Sequence, residues 1–152
     1  MIDAIDKSIL KMLQKDSKQT IKVIANRLNL SATPVFERIK RLEKEGYITS
    51  YRAVINRKQV GLNLLVLCNV SLNQHEASFI AKFERDIQQL DEVIECYHIG
   101  GMFDYLLKVV ACDMDSYQHF VAKKLASLDN IRQVQSAFVM AEVKSTANLP
   151  IV

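Results

Sequence analysis

A chain of 152 residues holds one ordinary domain or two small ones, and 49% hydrophobic with 24% charged residues excludes wholesale disorder. No apolar run approaches the roughly 18 residues a membrane span needs; the longest, Leu64 to Val70, is strand-sized and contains Asn69. The net charge of +3 is unevenly divided: residues 1–58 hold 13 Lys/Arg against 6 Asp/Glu and residues 59–152 hold 7 against 11, a +7 half followed by a −4 half.

The opening Met1-Ile2-Asp3-Ala4-Ile5-Asp6 carries acids and no basic region, which argues against a secretory signal. Asp3 is placed to cap a first helix, with Asp6 in its first turn and Ile5, Ile9, Met12 and Leu13 on one face. Asp16-Ser17-Lys18 breaks the pattern. Thr20 caps a second helix whose apolar stripe is Ile21, Ile24, Ala25 and Leu28. Asn29, tolerant of the left-handed conformation, opens a short turn. Ser31 caps a third helix with Pro34 in its first turn, and Gly46 ends it. Tyr47 to Ile55 is a short strand or an extended connector, and Asn56 to Asn63 is a polar linker.

The second half changes style. Leu64 to Leu72 is strand-like; Phe79, Ile80, Phe83, Ile87 and Leu90 mark a helix; Val93 to Ile99 and Tyr105 to Ala111 form a hairpin around Gly100–Asp104. Tyr117, Phe120, Val121, Leu125 and Leu128 mark another helix, and Val134 to Val143 a last strand. The order βαββαβ is the ferredoxin-like split pattern, so the chain is α+β. Strands apolar on both faces, with helices to cover only one, favour a dimer. The expected division is a helix-turn-helix over 1–50, a connector over 51–63 and an αβ domain over 64–152.

Two helices joined by a short turn are a general packing unit and point only weakly to DNA. The third helix adds to this. Val35, Ile39 and Leu42 share an inward face, leaving Thr33, Glu37, Lys40 and Lys44 opposite, flanked by Phe36 and Arg41. Ser31, Thr33 and Pro34 stand at its N-terminal end, where free N–H groups suit phosphate and side chains reach base edges. Lys40 and Arg41 suit guanine, Glu37 suits cytosine, Phe36 or the Thr33 methyl suits thymine, and Lys44 suits phosphate. The basic half that carries them fits a polyanion-binding module on an acidic partner domain. A solvated helix face with an ordinary Glu37–Arg41 pair accounts for the same residues without DNA.

The hairpin tip offers a second candidate site, made of Ile99, Gly100, Gly101, Met102 and Asp104. Paired glycines let backbone N–H groups approach a carboxylate, and Asp104 offers a counter-charge for an ammonium. Together they suit an amino-acid zwitterion, and Met102 favours an apolar or uncharged one. The plainer reading is a hairpin cap in which Asp104 bonds its own turn.

No nucleophile–base constellation, P-loop or dinucleotide fingerprint is present, so no enzyme, catalytic residue or cofactor is expected. Cys68, Cys96 and Cys112 lie far apart in apolar runs and read as reduced, buried thiols of a cytoplasmic protein. Cys96 and His98 share a strand face without a third ligand, so no metal is expected. His75 and His119 read as helix-surface residues, and Tyr97 and Tyr105 as core or interface aromatics. An effector-blind, architectural DNA-binding protein remains the alternative to a sensor.

Several segments resemble the Lrp/AsnC, or feast/famine, regulators. They are Ile2–Asp6 with Ile9-Leu10, Leu30–Val35 with Glu37–Glu43, Glu45–Ile48 with Tyr51 and Ala53, Glu95–His98, Gly101, Asp104–Lys108 and Asp113-Met114. The resemblance runs in order along nearly the whole chain. It implies a winged-type helix-turn-helix joined to a small αβ sandwich that dimerises through its sheets, with dimers often assembling into tetramers, octamers or rings. It also implies control of metabolic genes, with amino acids bound between dimers near Gly100–Asp104. Two places depart from the family's pattern. Ala32 stands where a proline is frequent, and Gly100 and Met102 replace a hydroxyl residue and an acidic one.

Overall fold

The computed structural model describes residues 1–152 and divides them into two compact units, Met1–Val54 with Lys144–Val152, and Ile55–Val143. The division after Val54 falls inside the expected connector over 51–63, and the last nine residues, expected with the αβ domain, group with the first unit. The reason is local: Gln14 and Leu149 bond each other twice, and Ile151 packs on the first unit's core.

In the first unit α1 spans Ala4–Lys15, α2 Ile21–Leu28 and α3 Ala32–Lys44. Asp3 and Asp6 form a reciprocal capping box: Asp6 N–H donates to Asp3 Oδ1 at 2.8 Å and Asp3 N–H to Asp6 Oδ2 at 3.0 Å. Thr20 Oγ1 accepts from Val23 N–H, while Ser31 occupies the cap position of α3 without a side-chain bond. Asn29 adopts the left-handed conformation at φ 53°, so the α2–α3 turn closes without a glycine. Ile9, Leu10, Ile24, Ala25, Val35, Ile39 and Leu42 form the core. The unit contains no strand, and Tyr47–Val54 has no regular structure.

In the second unit β1 (Leu64–Leu72), β2 (Val93–His98), β3 (Tyr105–Ala111) and β4 (Ile131–Phe138) form one antiparallel sheet in the order β2-β3-β1-β4. This is the expected split βαββαβ sheet. Val66, Cys68, Val70 and Leu72 of β1 and Tyr105, Leu107, Val109 and Ala111 of β3 pack with Phe83 and Ile87 of α4 (Ala77–Ile87) and with Tyr117 of α5 (Met114–His119). The opposite sheet face is mixed: Leu65 and Val110 pair across the ladder and are buried, whereas Leu67, Asn69, Leu106 and Lys108 are half-buried.

Two expected elements differ. The last strand spans Ile131–Phe138 instead of the expected Val134–Val143; beyond it the Val139 N–H still bonds the Leu65 carbonyl at 3.0 Å, after which the chain leaves the ladder. The second helix of this unit is not a regular α-helix. After α5 it passes through a π turn, Phe120–Lys124, and a 3-10 turn, Leu125–Ser127. The Leu125 N–H bonds Phe120 O, five residues back. That wider turn returns Leu125 to the side of Phe120, and both are buried.

Candidate functional site

The three residues that bury α3, Val35, Ile39 and Leu42, leave its other side to solvent. Ser31, Thr33, Phe36, Glu37, Lys40, Arg41 and Lys44 are exposed there, and Pro34 is half-buried at the start. Lys40 does not wave freely. Its Nζ lies 2.9 Å from Glu43 Oε2 and 5.8 Å from the Phe36 ring centroid. Glu43 Oε1 in turn accepts from Tyr51 O–H at 3.0 Å. Lys40 first and Tyr51 second hold the Glu43 carboxyl below its usual range, while burial and Glu43 push the Tyr51 hydroxyl to about 12. Arg52, one residue on, is exposed.

Arg41 departs from its expected place beside Glu37. Its Nη2 sits 2.5 Å from Asp6 Oδ2, and Arg38 Nη1 lies 2.8 Å from Asp6 Oδ1 and 2.6 Å from Asp3 Oδ2. Arg38 and Arg41 are three apart, on the flank of α3 that faces α1, so the acidic first turn of α1 captures both. The side chain of Asp6 is only 1% exposed; that of Arg41 remains 45% exposed, so part of its guanidinium is open to a further anion. The Asp6 N–H first, and Arg38 second, hold the Asp3 carboxyl low. This network was not legible in the sequence, because its partners are more than thirty residues apart.

At the hairpin tip, Gly100, Gly101 and Met102 are exposed and Ile99 is half-buried. A side chain at either glycine would meet nothing within 4 Å, so the space above both is open. Asp104 turns inward: Oδ2 accepts from Leu72 N–H at 2.7 Å and Oδ1 bonds His75 Nε2 at 2.9 Å. The Leu72 amide, chiefly, and His75 hold its carboxyl low. An ammonium group arriving at the tip would share Asp104 with these partners. His75 itself lies in the β1–α4 loop, not on a helix.

Other sequence expectations divide. Cys68 is buried, its sulfur 3.0 Å from Tyr117 Oη, but Cys96 and Cys112 are exposed, because β2 is an edge strand and Cys112 follows the end of β3. Tyr105 is buried and donates to Glu84 Oε1 at 2.9 Å, whereas Tyr97 is exposed. Between α4 and β2 lies a groove of about 400 Å³ lined by Glu84, Ile87, Val93, Cys96, His98 and Tyr105. Sequence reading did not find it, since α4 and β2 carry no joint motif. No three His, Cys, Asp or Glu side chains gather as a metal site, and no helix is long and apolar enough to cross a membrane.

Comparison with known proteins assigns both units. Residues 65–149 match the Lrp/AsnC ligand binding domain, and residues 2–49 match a winged helix-turn-helix DNA-binding family. The leucine-responsive regulatory proteins of Salmonella typhimurium and Escherichia coli are 36% identical over 150 residues, which is 99% of this chain and 92% of theirs. A transcriptional regulator of Neisseria meningitidis, crystallised as an L-Met complex, superposes with a TM-score of 0.95 at 32% identity, covering 99% of this chain and 97% of that one. An AsnC family regulator from Agrobacterium tumefaciens gives 0.93 at 33% identity, covering 98% and 97%.

Proposed function

The chain belongs to the Lrp/AsnC family of DNA-binding transcription regulators, and from that premise we propose that it reads operator DNA as a dimer through α3 and answers to an amino acid bound at the tip Gly100–Asp104. The observation that carries the DNA-reading part is the outer face of α3. Thr33, Phe36, Glu37, Lys40 and Lys44 are exposed on a helix whose inner face is locked in the core. Lys40 is the foremost base reader because Phe36 and Glu43 already orient it. Ser31 and Pro34 stand at the phosphate-facing helix start. Arg41, tied to Asp6, serves a DNA phosphate with its open edge and does not read bases.

Dimerisation by the mixed sheet face would cover Leu67 and Leu106 beside the buried pair Leu65 and Val110. The amino-acid reading rests on the open space above Gly100 and Gly101 and the exposed thioether of Met102. Leucine and methionine are the first ligands to try, because one relative is named for leucine and another was crystallised with L-Met. On this reading the protein is a regulator with no catalytic step, resident cofactor or metal.

The test is a titration of DNA binding and assembly mass with each of the twenty amino acids at fixed salt. A sensor shows a shift of about 5–150-fold in DNA affinity, or a change of mass, for one or a few of them. Indifference to all twenty would leave an effector-blind DNA-binding protein.

A further inference from the structure

We propose that Lys144–Val152 is a clasp: it completes the DNA-reading unit and so ties that unit to the ligand-binding unit a second time. The chain leaves the first unit after Val54 and re-enters it at Lys144. What seats the returning segment is a two-point bond. Leu149 N–H donates to Gln14 Oε1 at 2.6 Å, and Gln14 Nε2 donates to the Leu149 carbonyl at 3.2 Å. A primary amide carries one acceptor and one donor side by side, so it pairs with an extended residue as a neighbouring strand would.

The segment is built for that bond. Pro150 restricts the residue before it to extended backbone, the conformation in which Leu149 offers its N–H and C=O together. The Leu149 side chain contributes little, since the residue is 73% exposed. Ile151 makes the apolar contact, half-buried against the cluster that includes Ile9, Leu10 and Ile24. Thr146 Oγ1 accepts from Asn148 N–H and shapes the approach.

A reader hung on one connector samples many positions, and a second tie shortens the free path and narrows that range. The clasp therefore limits which half-site spacings a pair of readers can span. This consequence rests on the dimeric DNA-reading function proposed above.

The experiment uses the full chain and two variants, Gln14→Ala and Ile151→Asp. Each is titrated against DNA carrying one half-site, and against paired half-sites whose spacer is varied through a helical turn. Amide exchange of Leu149 is followed in parallel. The expected result is a protected Leu149 amide in the wild type, lost in both variants. Affinity for a single half-site should stay within twofold, while the penalty for half a turn of wrong spacing should fall at least threefold. A Leu149 amide that exchanges freely in the wild type overturns the clasp. An unchanged spacing penalty in variants whose Leu149 has lost protection overturns its role, as does loss of single-site binding. If paired half-sites bind the wild type no more tightly than one, the dimeric reading fails instead.

Discussion

Arg41 of α3 and Asp6 of α1 form an ion pair of 2.5 Å in which the carboxylate is buried and the guanidinium is half-exposed. The pair separates two jobs on one helix: Arg38 and Arg41 fasten α3 to α1, while Lys40 and Lys44 stay on the outer face. Replacing Asp6 by Ala removes charged hydrogen bonds to Arg38 and Arg41 and to the Asp3 amide. Hydrogen bonds to charged groups are typically worth about 1.5–3 kcal/mol each, and re-solvation of the half-exposed arginines offsets part of the loss. Asp6→Ala should therefore cost about 2–3 kcal/mol in urea unfolding, and Arg41→Ala less. A loss under 0.5 kcal/mol would mean that the network does not hold the unit together.

Lys40 gives the complementary prediction. It is exposed and meets only Glu43 and the Phe36 ring. Exposed helix pairs contribute about 0.3–0.5 kcal/mol, so Lys40→Ala should leave the unfolding midpoint nearly unchanged. Specific DNA affinity should fall by about 1–3 kcal/mol. Lys44→Ala should weaken specific and non-specific sites alike and flatten the salt dependence by about one counterion. Anisotropy titrations on cognate and scrambled DNA at several salt concentrations separate the two. Equal losses on both DNAs for Lys40→Ala would remove it as a base reader.

These contrasts show where sequence reading succeeds. The three N-terminal helices were legible because caps and periodicity are local: Asp3, Thr20, Asn29 and Gly46 each act within a few residues. The βαββαβ order was legible for the same reason. Arg41–Asp6, Asp104–His75 and Gln14–Leu149 were not, because their partners are separated by 35, 29 and 135 residues and carry no shared pattern. The π turn was missed because Phe120 and Leu125 also fit an ordinary amphipathic helix to within one residue. Cys96 lay in an apolar run that turned out to be an edge strand, an outcome set by sheet order and not by the run itself.

The Asp104 carboxyl predicts an acid limb to stability. Its affinity for a proton is lowered on folding, mainly by the Leu72 amide and also by His75. The unfolded chain then binds the proton more readily, so the stabilisation is present above the ordinary value of 3.8 and is lost as pH falls through the lower folded value. Asp104→Asn should show a shallower fall in stability below pH about 4 than the wild type. Parallel acid limbs for the two proteins would mean that the Leu72 and His75 bonds do not persist in solution.

The two tip glycines should respond differently to a methyl group. At Gly101 the backbone stands at φ +147°, a conformation that L side chains rarely adopt, whereas Gly100 has no such constraint; neither position meets an obstacle within 4 Å. Gly101→Ala should therefore destabilise the second unit by more than about 1 kcal/mol through backbone strain alone. Gly100→Ala should change stability by less than about 0.5 kcal/mol. If the space above Gly100 receives an amino acid, however, the same methyl should cut effector response while leaving unfolding and effector-free DNA binding intact. The pairing of a silent melting curve with a lost response isolates the site, because a purely structural glycine would disturb both. Thermal melting with calorimetric titration of leucine and methionine on the two variants supplies the comparison. A Gly100→Ala protein that folds and responds like the wild type would move the effector away from the hairpin tip.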